Sequence, residues 1–230
     1  MDFTPIFYRL AALCGMLLFQ ASALAQQQPA AAGRAAVEVK AVRFAQTKVS
    51  NTVLVPMTRV EVQILAKENA RLLEDPKAIV PNKSWVDKIK VTVTIAYELP
   101  AARKAASGGA AASLEDRYAF YRSSVTIMTM EKNSTGSVFF YLPGEIVKRD
   151  QLKQEPYAYA IDLEVDGTSL PPSKSSVSRL LLAEAQYKAF KEMADRGVLS
   201  TTGVLRPQYL VATEALPAST PTLIREDAAR

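Results

Sequence analysis

Residues 89–99, IKVTVTIAYEL, constrain the chain more than any other stretch. Ile89, Val91, Val93, Ile95, Tyr97 and Leu99 are apolar, and Lys90, Thr92, Thr94 and Glu98 stand between them. This period of two, carried mostly by β-branched side chains, predicts a strand with its odd face in a core and its even face toward water. Weaker copies of the pattern elsewhere supply its partners. Val37, Val39, Val42 and Phe44 predict a first strand with a slip near Ala41. Val60, Val62 and Ile64 mark a second, with Pro56 before it because proline cannot donate to a ladder.

After residue 100 an Ala-, Gly- and Ser-rich stretch, 101–116, reads as a loop between strands. Residues 117–131 form the next strand, with apolar side chains on both parities, as in a strand covered on both faces. Residues 132–136 are a turn leading to the strand 137–142, and the two strands are expected to make a hairpin. Tyr157, Tyr159, Ile161, Leu163 and Val165 alternate through another strand. A helix is expected at about 175–196, with Ser173, Ser175 and Ser176 as candidate N-caps and Gly197 as its stop. Leu180, Ala183, Tyr187, Phe190 and Ala194 fall within about 80° on its wheel and form the core-facing stripe. About seven short strands separated by turn signals, plus one long C-terminal helix, predict a mainly β fold, a sandwich or barrel, over 36–212.

The ends differ from this body. Residues 1–25 combine Arg9, an apolar run of about ten residues and an Ala23-x-Ala25 exit, the outline of a secretory signal peptide. Residues 26–35 read as a flexible linker and 213–230 as a flexible tail. An exported location follows: periplasmic, cell surface or extracellular, with no stable membrane span once the leader is cut.

The 230 residues contain no histidine, and the single cysteine, Cys14, lies inside the leader. Ser-His-Asp and Cys-His catalysis and ordinary zinc or copper sites are therefore excluded, and no cofactor is expected. The net charge of +5 leans weakly toward anionic partners. No nucleic-acid motif accompanies it. Asp162, Glu164 and Asp166 have the spacing of a calcium loop, but Ser173 stands where its bidentate glutamate belongs. A solvated strand face explains them better. Glu145, Glu164 and Asp166 are the acids a two-carboxylate, carbohydrate-active enzyme would draw on.

The aromatic and basic residues are the more informative surface. Tyr118, Tyr121, Arg122, Tyr141, Lys148 and Arg149 are the candidate partner-binding residues, suited to a protein or to sugar stacking.

Residues 151–167, QLKQEPYAYAIDLEVDG, resemble the stretch leading into strand F of an immunoglobulin domain, with Tyr159 as the tyrosine that folds back on the preceding turn. Ile161 stands where that domain has its core cysteine. Together with WVDKIKVTVTIAYE, SVFFYLPGEI, the leader and the late helix, the chain resembles the secreted immunoglobulin-like, pilus-associated proteins of Verrucomicrobia. The resemblance implies an immunoglobulin-like β-sandwich of about seven strands, with a role at the cell surface or in pilus assembly. With the leader and the absent histidine and cysteine, a non-enzymatic protein that binds surface or pilus proteins or host glycans is expected. It departs from a true type IV pilin, lacking the Gly-Phe processing site and the long apolar helix. A carbohydrate-active enzyme or carbohydrate-binding module is the alternative.

Overall fold

The computed structural model describes residues 35–47, 56–100, 117–211 and 219–224. All of them belong to one compact unit, Ala35–Arg230. It is a sandwich of two antiparallel sheets. Strands β1 (Val37–Thr47), β2 (Met57–Ala66), β5 (Thr135–Leu142) and β8 (Arg206–Pro207) form the first, in that order. The second runs β7 (Thr168–Ser169), β6 (Ala158–Val165), β3 (Trp85–Glu98), β4 (Tyr118–Glu131) and β9 (Leu223–Ile224). Short helices α1 (Ala70–Glu74) and α2 (Gly144–Arg149) sit in connections, and α3 (Glu184–Gly197) is the long one. The order β1-β2-β5 against β7-β6-β3-β4 is the A-B-E and G-F-C-C′ arrangement of immunoglobulin domains.

The strand that organises the sequence also organises the fold. β3 is central in its sheet, paired with both β4 and β6, and Ile89, Val91, Val93, Ile95 and Tyr97 are all buried. They meet Val60, Val62 and Ile64 of β2 and Val138, Phe140 and Leu142 of β5 across the sandwich. Each such burial contributes roughly 1.5–3 kcal/mol. The register of β1 against β2 shifts between Val39 and Ala41, at the slip expected there. Asn69 caps α1 by accepting from the Arg71 N–H, and its amide donates to the Trp85 carbonyl at 2.9 Å. That bond ties the start of α1 to the single tryptophan, the first residue of β3.

Four expectations are corrected. β4 and β5 do not pair: the 132–136 turn carries the chain from one sheet to the other, with Asn133 in the left-handed region at φ 64°. A turn residue with that backbone suits a sharp crossing as well as a hairpin, so the turn signal alone could not choose. The expected helix at 175–196 begins only at Glu184. Residues 176–178 run instead beside β6: the Ile161 N–H donates to the Ser176 carbonyl at 2.7 Å, and the Ser178 N–H to the Tyr159 carbonyl at 3.0 Å. Unpaired groups on the β6 edge took those residues from the helix. Ser173 and Ser176 hydrogen-bond each other's backbone rather than capping it, and Leu180 is exposed while Leu181 is buried.

The expected tail is also partly structured. Leu223 and Ile224 pair with Ile127 and Thr126, and the Ser137 N–H donates to the Ser219 carbonyl. Finally, the ring of Tyr159 packs on Phe44 at 5.4 Å, across the sandwich, instead of against its own preceding turn. The expected leader, the linker up to residue 34 and the 101–116 loop lie outside the described residues.

Candidate functional site

Strand pairing arranges the outer face of the second sheet in rows. Glu98 faces Tyr118; Ala158, Ala96 and Phe120 form the next row; then come Ala160, Thr94 and Arg122. Asp162, Thr92 and Ser124 follow, then Glu164, Lys90 and Thr126. The small and apolar rows in the middle are what a helix can lie on. Phe190 and Ala194 of α3 bury against Ala96, Phe120, Ala158 and Ala160, with Val177 and Leu181 completing a second, smaller core. The Phe120 and Phe190 rings are 5.8 Å apart. A polar surface lies on one side of this contact and an aromatic one on the other.

On the polar side the helix and sheet are joined by charge. The Tyr187 hydroxyl donates to Asp162 Oδ1 at 2.5 Å and Lys191 Nζ to Asp162 Oδ2 at 2.6 Å, so both carboxylate oxygens are engaged. Arg122 donates from Nε to Thr94 Oγ1 at 3.0 Å and pairs with Asp195 of the helix at 2.7 Å. Burial pushes the Tyr187 hydroxyl above the usual tyrosine range, and the Asp162 carboxylate adds to the shift. Beside this network opens a cavity of about 390 Å³, with Thr92, Asp162, Glu164, Ser169, Tyr187 and Lys191 in its wall.

On the aromatic side the Tyr118 and Tyr157 rings lie 4.8 Å apart, tilted by 39°. The Arg117 guanidinium sits 5.8 Å from the Tyr118 ring centre, within cation–π range. Burial, helped by a hydrogen bond with Tyr157, pushes Tyr118 up to about 12. Tyr157 is 49% exposed, which leaves a ring face open to a ligand.

The six candidate residues do not make one patch. Tyr118 belongs to the aromatic pair, and Arg122 lies four residues along the same strand face, under the helix. Tyr121 is adjacent to Arg122 and so points the other way. It is buried in the main core, with its ring edge toward Tyr97 at 6.2 Å. Its hydroxyl donates to Asp150 at 3.2 Å, and Arg149 donates twice to the same carboxylate, at 2.7 and 2.8 Å, so these two candidates do share a partner. The Arg149 bonds hold Asp150 below the usual carboxylate range. Burial first, then Asp150, pushes the Tyr121 hydroxyl above its own. Tyr141 is buried in β5 of the opposite sheet, and Lys148 is exposed on α2.

The strand acids also separate. Asp162 and Glu164 face the 390 Å³ cavity. Asp166 turns away at φ 47° and pairs with Arg71 at 3.2 Å and Lys88 at 3.4 Å, which hold its carboxyl low. Glu145 is exposed at the first turn of α2. The Asp162–Tyr187–Lys191 network was missed because Tyr187 lies on the stripe read as core. Tyr187 and Lys191, one helical turn apart, meeting a polar strand parity were the available signal.

No family model matches the chain, and no curated protein matches it. Among solved structures it is similar to the crystal structure of a protein from Akkermansia muciniphila, at 11% identity and a TM-score of 0.53. The match covers 83% of this chain and 93% of that one, a likeness of overall fold.

Proposed function

We propose that the chain is an exported, non-enzymatic sandwich that works at the cell surface, or in a pilus-related assembly, by binding a protein or glycan. The observation that carries this reading is the Tyr118–Tyr157 pair with Arg117 beside it, an exposed aromatic and cationic platform on a rigid sheet. Such surfaces suit both sugar stacking and protein hot spots. The leader-like residues 1–25, and a histidine-free chain whose only cysteine lies among them, support export and argue against the common catalytic constellations. The fold likeness and the resemblance of 151–167 to an immunoglobulin strand F are consistent with a structural or adhesive role. Among the described residues, no helix is long and apolar enough to cross a membrane.

The test is capture from the envelope fraction of the source organism, using purified wild-type protein and its Tyr157→Ala and Arg117→Ala variants. A surface protein or glycan retained by the wild type and lost by both variants is the expected result. Equal capture by all three would move the binding surface elsewhere. Saturable turnover of a glycan by the purified protein would overturn the non-enzymatic reading.

The second reading, a carbohydrate-binding module or carboxylate-dependent enzyme, is favoured by one observation. Two strand acids, Asp162 and Glu164, line the same cavity. Its enzymatic arm is weakened because Glu145 and Asp166 do not reach that cavity, leaving the binding arm as the stronger part.

A further inference from the structure

We infer that the cavity between α3 and the polar rows of the second sheet binds a neutral sugar. The inference does not rest on the Tyr118–Tyr157 platform, which lies beyond the buried Phe120–Phe190 contact, and it stands or falls separately.

Its first support is charge. Two cations, Arg122 and Lys191, and two carboxylates, Asp162 and Glu164, stand in the cavity wall, so its charges balance. An anionic ligand would meet Asp162 and Glu164 in the wall. A cationic one would meet Lys191 and Arg122. A neutral, polar molecule meets neither penalty.

The second support is which groups remain available. Asp162 is held by Tyr187 and Lys191, and Arg122 by Thr94 and Asp195, so the walls they form are fixed in place. Among the described residues, no hydrogen bond or ion pair occupies the Glu164 carboxylate, and the hydroxyls of Thr92 and Ser169 stand in the same wall. A carboxylate accepts from two donors side by side, and a hydroxyl both donates and accepts. Adjacent hydroxyls of a sugar ring present that combination.

The third support is size and rigidity. At about 390 Å³ the cavity is at the small end of the range for small-molecule sites, suited to one or two sugar rings. Its walls come from α3 and strands β3, β4, β6 and β7, with only Leu170 outside them, so little ordering opposes binding.

The test is titration of the purified protein, followed by calorimetry and by ligand-observed NMR. The neutral probes are glucose, galactose, mannose and N-acetylglucosamine; glucosamine and glucuronate are charged relatives of the same ring. The expected result is saturable binding of at least one neutral sugar, with the charged relatives about tenfold weaker or more. Glu164→Gln and Thr92→Val should each weaken that binding severalfold without lowering the melting temperature, and Tyr157→Ala should leave it unchanged. The inference is overturned if none of the four neutral sugars binds. It is also overturned if a charged relative binds more tightly, or if Tyr157→Ala abolishes binding while both cavity variants retain it.

Discussion

The molecule has two cores, and they are built on different rules. Between the sheets, Val60, Val62, Ile64, Val91, Val93, Ile95, Val138 and Phe140 interdigitate from long strands, each face supplied by a run of alternating residues. Between sheet and helix, eight buried residues suffice, among them Ala96, Ala158, Ala160 and Ala194, whose small side chains let the helix approach closely. Around that small core stand ion pairs and hydrogen bonds: Lys191 and Tyr187 to Asp162, Arg122 to Asp195. The first core holds the domain together. The second is a layer laid on a finished sheet, and its polar margin is where a cavity could form.

The largest effect should separate the two cores directly. Phe140→Ala empties a fully buried site in the main core, and a loss of about 3–5 kcal/mol is expected, seen as a lower urea midpoint for the whole domain. Phe190→Ala should cost about 3 kcal/mol, felt chiefly as faster amide exchange in α3 while β3 and β6 stay protected. Equal, global losses from both variants would break the distinction between a core and an added layer.

A smaller effect sharpens how tightly the layer sits. A Cβ built on Gly197 would lie 2.6 Å from Phe120 Cδ2, closer than real contacts allow. Alanine normally improves a helix position over glycine, yet here overpacking should outweigh that gain and destabilise by about 1–3 kcal/mol. A thermal melt decides it: a raised midpoint for Gly197→Ala would mean that the Phe120 ring yields freely.

The smallest effect belongs to the main core and depends on pH. The Tyr97 hydroxyl is buried, with no hydrogen-bond partner among the described residues, and burial raises its pKa above the ordinary value of 10.0. A raised folded pKa means a contribution to stability that is present below about pH 10 and lost as pH climbs above it. Tyr97→Phe should therefore leave neutral-pH stability within about 1 kcal/mol of wild type, because an unpartnered hydroxyl contributes little. It should also make the alkaline loss shallower, read as denaturation midpoints at pH 7 and pH 10.5. Tyr121 and Tyr187, raised in the same direction, keep the remainder of that slope.

Much of this architecture was legible in the chain. The alternation at 89–99, the slip in β1 near Ala41 and the strand at 158–165 all follow from spacing and residue type, because a one-residue error in a strand exchanges its buried and wet faces. The site was less legible. Tyr121 and Arg122 are neighbours in sequence and sit on opposite faces of β4, so a patch assembled from nearby tyrosines and arginines was bound to mix core with surface.

What the sequence alone determined is therefore the sandwich and its central strand, since periodicity is a local property that burial on one face enforces. Only the tertiary structure decided that residues 176–178 line the β6 edge instead of starting a helix, and that 219–224 close against β4 and β5. In both places the outcome depended on backbone hydrogen-bonding groups left open on strands outside the segment itself. Asp162 and Asp166 share a parity in the sequence, but β6 ends at Val165, so the first meets Tyr187 and Lys191 from the strand while the second, in the turn beyond it, meets Arg71 and Lys88.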